Sequence, residues 1–314
     1  MCYSAQITAD YRKYQRLGGK MSLPDFAALW LRDPFHEKKK RPKAPKALED
    51  LVASMDPGIK ELIDDWNAEE AAALEPELFK QRKRVADAER KLLTKVTKKA
   101  QDDVRIGTNK VEQIRGWLDD FKRKTLEPRD ERIFPQWYAP VLVVENGQRV
   151  IKPMRYQCRL AGMPASSDYA KDGKLSGTYN ARRDNLERFW RRQFGYTHGL
   201  MVISTFYENV DTPDGGSKRI QFTPRDGSDM LVACLWSHWT DPTGEHPDLL
   251  SFAAVTDDPE PEVAAAGHDR TIINIKPEHV DAWLNPNPAN LDALYAIFDD
   301  KQRPYYEHQL EKAA

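Results

Sequence analysis

The sequence contains few cysteines. Its 314 residues include three, Cys2, Cys158 and Cys234, an odd number at spacings that suit neither a disulfide framework nor a zinc site. Cys158 and Cys234 lie in apolar stretches, where a cysteine usually fills core volume. We therefore expect a reducing compartment and no metal or other cofactor, and Cys2 becomes the cysteine of chemical interest.

Long hydrophobic runs are also lacking. No stretch approaches the roughly 20 apolar residues that a membrane span needs, and the N-terminus does not have the apolar core of a secretory signal. Hydrophobic residues make up 40% of the chain and charged residues 31%, a balance typical of a protein with a buried core. We expect a soluble cytoplasmic protein with no membrane partner.

A large net charge is missing too, since the formal total is -1. The charges are nevertheless segregated: residues 80–132 carry a net +7 and residues 221–314 a net -11. Local potential decides whether a polyanion is bound, so one face of a nearly neutral protein can hold nucleic acid. Solvated helix faces are the other explanation for the basic stretch 80–132.

The region of about 67–124 has a helical pattern. Apolar residues recur seven apart at Leu78, Val85 and Leu92. Gly107 interrupts this pattern, and a second apolar stripe follows it. The sequence therefore predicts two antiparallel helices packed on each other, with the break near Gly107.

The helical region separates two parts of a predicted core. Tyr3–Ile7 alternates as a short strand. Residues 36–46 are rich in lysine and proline and predict an exposed basic arm. We therefore predict a helical insertion over residues 20–128, and a core formed by residues 1–19 and 129–314.

Beyond Ile133 the pattern changes to short β-rich runs. The clearest is Val141–Glu145, then Asn146-Gly147, then Val150–Met154, which predicts a two-residue hairpin. Further predicted strands are Leu200–Thr205, Arg219–Phe222, Leu231–Trp236, Ser251–Val255 and Thr271–Ile275. Predicted helices are Asn185–Phe194, Pro277–Leu284 and Leu291–Asp299. The pattern favours an α+β protein with a mainly antiparallel β core.

Cys2 becomes the N-terminal residue once Met1 is removed, by a cellular aminopeptidase or by self-cleavage. Its amine and thiol then stand on adjacent carbons, with ordinary pKa values of about 8 and about 8.5. Such a pair can attack one aldehyde carbon twice, so that the amine forms an imine and the thiolate closes a five-membered thiazolidine. An internal cysteine cannot do this.

Three further segments accompany Met1-Cys2. They are Tyr179-Asn180-Ala181-Arg182, Thr205-Phe206-Tyr207-Glu208 and Gly267-His268-Asp269-Arg270. In this order the four segments resemble the SOS response-associated peptidase (SRAP) family of abasic-site processing proteins, whose patterns are MCGR, NAR, a strand ending in a Phe/Tyr-Glu pair, and HDR. Each segment alone also fits a turn, a strand end or a surface loop.

The resemblance implies a barrel-like β core and covalent capture of abasic sites in single-stranded DNA, with an associated self-cleaving peptidase activity. It implies that Cys2 makes the crosslink and that Asn180 and Arg182 hold the adduct and its phosphate. It also implies that Glu208 is the acid/base carboxylate and that His268 assists opening of the sugar.

General chemistry is compatible with these roles. An abasic deoxyribose is mostly a closed hemiacetal, so a general acid/base such as His268 helps to release the aldehyde. Loss of water from the carbinolamine needs a proton donor, which a buried Glu208 can be. Arg182 offers a planar fork that suits a phosphate.

The resemblance covers residues 1–8 and about 132–285, and it has two departures. Ser4 stands where the family pattern has an arginine, and the helical insertion lies outside the minimal family domain. The insertion leaves room for a protein partner or a further DNA contact. Lys38–Arg41 and Arg182–Arg192 are candidates to replace the missing phosphate contact.

Two other function classes stay open at this point. An N-terminal-nucleophile amidohydrolase would use Cys2 on an amide, with an oxyanion hole, and would not need the other three segments. A non-enzymatic adaptor for nucleic acid or protein would rely on the basic helical hairpin.

Overall fold

The computed structural model of the protein describes residues 4–32, 40–212 and 215–310. Its strands are β1 (Ser4–Ile7), β2 (Lys20–Met21), β3 (Arg132–Ile133), β4 (Tyr138–Glu145), β5 (Gln148–Tyr156), β6 (Asn180–Arg182), β7 (His198–Asp211), β8 (Ser217–Pro224), β9 (Met230–Trp239), β10 (Leu249–Asp257), β11 (Thr271–Ile272) and β12 (Tyr306–Leu310).

The helices fall into three groups along the chain. Two short helices follow β1, three helices precede β3, and three short helices belong to the C-terminal third. They are α1 (Tyr11–Arg16), α2 (Leu23–Trp30), α3 (Lys46–Met55), α4 (Pro57–Thr94), α5 (Lys98–Lys122), α6 (Pro261–Ala265), α7 (Val280–Leu284) and α8 (Leu291–Asp299). In the described part of the chain, no helix is long and apolar enough to cross a membrane.

All twelve strands join one mixed sheet, so the fold is α+β. Five of the strands form a closed ring. In it, β4 pairs with β7, β7 with β9, β9 with β10, β10 with β5, and β5 with β4 again. The β4–β7 pairing consists of one residue pair, Leu142 with Leu200. Three pairings, β2–β5, β5–β10 and β6–β10, are parallel. The α+β prediction is confirmed, and the prediction of a mainly antiparallel, barrel-like core is corrected: parallel neighbours and side strands make a large mixed sheet and not a clean barrel.

The Asn-Gly hairpin is confirmed. Strands β4 and β5 pair in register from Tyr138–Arg155 to Glu145–Gln148, which leaves Asn146 and Gly147 as the turn. Both turn residues have positive φ, 50° and 74°, as a type I′ turn requires. Asparagine and glycine tolerate this conformation better than other residues.

Strand β7 is a central strand of the sheet, because β1, β4, β8 and β9 all pair with it. Helix α7 is anchored to its beginning: Nε1 of Trp283 donates to the carbonyl of Gly199, and the Trp283 ring lies 3.8 Å from that of His198. Burial lowers the pKa of His198 to about 3, so this histidine is a neutral packing residue.

The predicted helix Asn185–Phe194 does not form. A 3-10 turn over Arg183–Asn185 is followed by successive turns up to Thr197. Leu186, Trp190 and Phe194 are buried. Their spacing of four residues resembles a helical stripe, but consecutive turns also direct every fourth side chain into the core.

The chain forms two compact units. One contains the residues up to Asp56 together with those from Glu127 onwards, and the other is Pro57–Leu126. The predicted insertion boundaries stay a prediction, because compactness alone does not define where an insertion begins.

Within the second unit, α4 and α5 form an antiparallel pair, linked by an ion pair between Arg84 and Asp103. The break lies at residues 95–97, where Oγ1 of Thr97 caps α5. The prediction of a break at Gly107 is therefore wrong. Gly107 lies inside α5, where a Cβ would come within 2.6 Å of Cγ2 of Val85. The glycine is needed for close helix packing, which a sequence pattern cannot distinguish from a helix end.

Candidate active site

Glu208 is a buried carboxyl group in the middle of the sheet. It belongs to β7, pairs with Ile220 of β8, and is 1% exposed. Burial penalises the charged form and raises the pKa of Glu208 from its ordinary 4.5 to about 8. At neutral pH the Glu208 carboxyl group is therefore mostly protonated.

His268 lies against Glu208. Nε2 of the imidazole is 3.3 Å from Oε2 of the carboxyl group. Nδ1 lies 3.0 Å from the carbonyl oxygen of Arg270 and 3.3 Å from its backbone nitrogen, so it donates to the first or accepts from the second according to the tautomer. Burial lowers the pKa of His268. The two side chains are thus in polar contact, and burial favours the uncharged form of each.

A sharp turn brings His268 to this position. Gly267 has a φ of +96°, a conformation that glycine adopts far more readily than other residues. The turn follows α6, and the amide of His268 donates to the carbonyl of Val263 in that helix. Strand β11 then begins at Thr271, which fixes the segment from the other side.

Asn180 is oriented by a buried tyrosine. It opens β6, pairs in parallel with Ala254 of β10, and is 6% exposed. The hydroxyl of Tyr156 donates to Oδ1 of Asn180 at 3.4 Å. Tyr156 is itself held by stacking on Phe252 and by an edge contact with Tyr179. The amide group of Asn180 therefore has a defined direction before any ligand binds.

Arg182 lies two residues further along β6 and is 43% exposed at its side chain. Its Nε and Nη2 donate to the two carboxylate oxygens of Asp184 at 2.9 and 2.7 Å. An adjacent cleft of about 630 Å³ is lined by Arg182, Arg183, Asp184, Glu187, Arg188, Thr256, Asp257, Asp258, Arg270 and Tyr295. A phosphate that binds Arg182 through its fork has to compete with Asp184.

Arg270 is a candidate site residue to which the sequence analysis assigned no role. It lines the cleft of about 630 Å³. It also lines a neighbouring cleft of about 210 Å³, whose other lining residues include Asn180 and Arg182. Its Nε is buried and has no hydrogen-bond partner within the described part of the protein. Its backbone carbonyl and amide both lie within hydrogen-bond distance of Nδ1 of His268. The sequence feature that could have identified Arg270 is its position in the His268-Asp269-Arg270 segment.

The structure thus places the four described candidate residues in two connected groups. Glu208 and His268 are in contact, and Asn180 and Arg182 line one cleft. Arg270 belongs to both groups, because its backbone meets His268 and its side chain lines the clefts.

Cys2 lies outside the described residues. The first described residue, Ser4, is opposite Tyr207 in the β1–β7 register, directly before Glu208. The expected basic arm 36–46 is described only from Lys40. In it, Nη2 of Arg41 binds both carboxylate oxygens of Glu49, at 2.7 and 2.8 Å, so this guanidinium already has a carboxylate partner.

A metal site is not evident in the described residues, because no three His, Cys, Asp or Glu side chains there are arranged to hold an ion. The chemistry available in this part of the protein is therefore that of a carboxyl, an imidazole, an amide and guanidinium groups.

A family comparison adds to this geometry. The model of the SOS response associated peptidase (SRAP) family matches residues 92–311, more than half of the chain. The chain belongs to the SRAP family. The matched segment of this SRAP protein contains Asn180, Arg182, Glu208 and His268, whereas Cys2 precedes it. Membership supports a peptidase-like function associated with the SOS response. No curated protein gave a significant match.

Solved structures resemble this SRAP protein more distantly. An X-ray structure of a protein from Bordetella bronchiseptica is 17% identical, with a TM-score of 0.46, over 58% of this chain and 88% of that one. One from Bacteroides thetaiotaomicron is 13% identical, with a TM-score of 0.46, over 58% and 78%. A phage-related protein from Bordetella bronchiseptica is 17% identical, with a TM-score of 0.44, over 61% and 85%.

Proposed function

We propose that this protein captures abasic sites in single-stranded DNA covalently, through a thiazolidine formed by Cys2 after removal of Met1. The observation that carries the proposal is the buried, uncharged pair of Glu208 and His268, in a chain whose sequence begins Met-Cys. A protonated carboxyl beside a neutral imidazole suits a reaction that must both open a sugar and expel water.

Chain length allows Cys2 to reach this pair. Cys2 is two residues before Ser4, and two residues span at most about 7 Å. Ser4 is opposite Tyr207, the residue before Glu208. The amine and thiol of Cys2 are thus within reach of the carboxyl group.

The reaction balances with one water released. The α-amine of Cys2 adds to the C1 aldehyde of the open abasic sugar and gives a carbinolamine. Glu208 supplies the proton with which the carbinolamine hydroxyl leaves as water, the nitrogen returns its proton to the Glu208 carboxylate, and an imine forms. The Cys2 thiolate then adds to the imine carbon, the nitrogen takes up a proton, and the thiazolidine ring is closed.

His268 serves the step before capture. The closed hemiacetal opens when the hydroxyl on C1 loses a proton and the ring oxygen gains one. The unprotonated ring nitrogen of His268 can take up the first proton, which is general base catalysis. The low pKa of His268 keeps this nitrogen unprotonated at neutral pH.

The arginine-lined cleft supports a DNA substrate. Arg182 and Arg270 line it together with Asn180, and guanidinium forks suit phosphate oxygens. Single-stranded DNA is favoured over duplex, because an aldehyde within a stacked helix is hard to reach. Removal of Met1 by self-cleavage would be the peptidase-like part of the same activity.

Intact mass spectrometry tests the proposal. The purified protein should begin at Cys2 and should gain the mass of an abasic single-stranded oligonucleotide, minus one water, in a heat-stable adduct. Cys2→Ala, or an extension that blocks the α-amine, should abolish the adduct. Cys158→Ala is the matched control, because burial raises the pKa of the Cys158 thiol to about 12 and makes it inert. A stable adduct of equal yield from Cys2→Ala would contradict the mechanism.

A further inference from the structure

Arg132 connects the beginning of β1 to the strand that carries Glu208. Its Nε and Nη2 both donate to Oγ of Ser4, at 3.1 and 2.9 Å. Its Cζ lies 3.7 Å from the ring centroid of Tyr207. Ser4 and Tyr207 are themselves opposite each other in the β1–β7 register. One guanidinium therefore contacts both members of the strand pair, at the position next to Glu208.

These contacts are buried and directional. Arg132 is 8% exposed, Tyr207 5% and Ser4 0%. A buried guanidinium is costly unless hydrogen bonds and an aromatic face compensate it, and here both are present. Two N–H groups on one edge of the fork converge on a single oxygen, a geometry that a lysine ammonium cannot reproduce.

The backbone of Arg132 is fixed to the same strand. In β3 it pairs with Gln6 of β1, one pair away from Ala5 and Ile133. The side chain thus reaches along β1 from Gln6 to Ser4, in the direction of the N-terminus. Its side chain thus holds Ser4, the first described residue after Cys2.

We propose that Arg132 is a positioning residue for covalent capture: it holds the start of β1 against β7, and so fixes where the N-terminal amine and thiol meet Glu208. This inference rests on the proposed function. It assigns Arg132 no contact with DNA, and its effect passes through Ser4 and Tyr207.

Single-turnover kinetics test this role. Arg132→Met keeps the length of the side chain and removes the fork. At saturating abasic single-stranded DNA, the rate of adduct formation should fall by about 10- to 100-fold, as expected for a misplaced reacting group. Affinity for the same DNA carrying an unreactive tetrahydrofuran site should stay within about 2-fold, because binding and the covalent step are affected separately. Arg132→Lys should recover the rate only in part.

Arg129→Met is the matched control. Arg129 lies three residues earlier, is exposed, and pairs with Glu127, so its loss should leave the rate unchanged. Two results would overturn the proposal. One is a wild-type rate for Arg132→Met at matched folded fraction. The other is equal loss of rate and of tetrahydrofuran-DNA affinity, which would make Arg132 a DNA contact.

Hydrogen exchange of the β1 amides separates this inference from the proposed function. Exchange at Ala5 and Gln6 should be faster in Arg132→Met than in wild type or Arg129→Met, whatever reaction the protein catalyses. If wild type forms no adduct but exchange changes as stated, the proposed function fails while the anchoring of β1 stands. Unchanged exchange would overturn the anchoring itself.

Discussion

Oε2 of Glu208 lies 3.3 Å from Nε2 of His268, and burial shifts the pKa of each residue toward its uncharged form. The pair is therefore a close polar contact between two buried groups that both favour the neutral form. Each member can act in a different proton transfer: Glu208 as a donor near neutral pH and His268 as an acceptor. Their separate roles can be tested with two substrates.

We expect His268→Ala to slow capture of a true abasic site by about 10²- to 10⁴-fold, the range for loss of a general acid/base. On DNA with a permanently open aldehyde, the same variant should recover much of its rate, because no ring has to open. Glu208→Gln should stay slow on both substrates, since the carbinolamine still needs a proton. Adduct formation is followed on denaturing gels.

Both variants must be compared at matched folded fraction. If His268 only packs beside Glu208, its loss will lower the melting temperature without any dependence on the substrate. Equal slowing of the two variants on both substrates, or wild-type rates for both, would remove the assignment of separate roles.

The raised pKa of Glu208 also predicts a pH-dependent stability. The folded state holds the proton up to about pH 8, whereas the unfolded chain releases it near 4.5. The contribution of Glu208 to stability therefore decreases as pH rises between these values. Glu208→Gln removes this penalty. The free energy of unfolding of the variant should therefore increase relative to that of wild type between pH 5 and pH 9, by a few kcal/mol in order of magnitude.

Urea unfolding of both proteins at the two pH values measures the effect. The contribution of His268 is lost as pH falls below its ordinary 6.5, so the change in stability above that pH reports on Glu208. A difference between the proteins that does not change with pH would contradict the raised pKa.

Local sequence signals predicted part of the fold well. The Asn146-Gly147 turn specified the β4–β5 hairpin because few other residues accept positive φ at both turn positions. Helix α8 has the predicted ends, Leu291 and Asp299. The parallel pairing of β6 with β10 was not predicted, since it joins distant segments and leaves no local pattern.

Asp184 should act as a competitor for the phosphate that Arg182 binds. Asp184→Asn frees the guanidinium from a two-oxygen ion pair, so affinity for tetrahydrofuran-containing single-stranded DNA should increase several-fold. Arg182→Ala should instead weaken binding across all sequences and flatten its salt dependence, because a phosphate contact releases counterions without reading bases. Fluorescence anisotropy at several salt concentrations measures both effects.

Asp172→Asn is the matched control for the change in charge. Asp172 is exposed and pairs with Lys174, and it does not line the described clefts. Equal tightening by Asp172→Asn and Asp184→Asn would show a long-range charge effect rather than release of Arg182.

The close packing of Gly107 against Val85 predicts that alanine at position 107 lowers the stability of the helical unit. Gly107→Ala should destabilise the helical unit by about 1–3 kcal/mol, because its Cβ overlaps a stiff β-branched side chain. Gly116 of α5 has open space around it, so Gly116→Ala should stabilise by roughly 0.5–1 kcal/mol. Val85→Ala should relieve part of the Gly107→Ala cost. Circular dichroism at 222 nm follows unfolding, and stabilisation by Gly107→Ala would refute the overlap.

The candidate site was predictable as a set of residues but not as an arrangement. The resemblance singled out Asn180, Arg182, Glu208 and His268, whose roles stay a prediction. Pairing of Arg182 with Asp184 depends on side-chain directions that no pattern specifies. The link through Arg270 depends on a turn and a cleft built from several strands.

The pairing of β1 with β7 also orders events during synthesis. Ser4 leaves the ribosome early, but its partner Tyr207 is made much later, so the strand pair closes only after most of the chain exists. Contacts so distant in sequence are slow to form even in a complete chain. The β1–β7 pair, and with it the surroundings of Glu208, is therefore completed only late in synthesis.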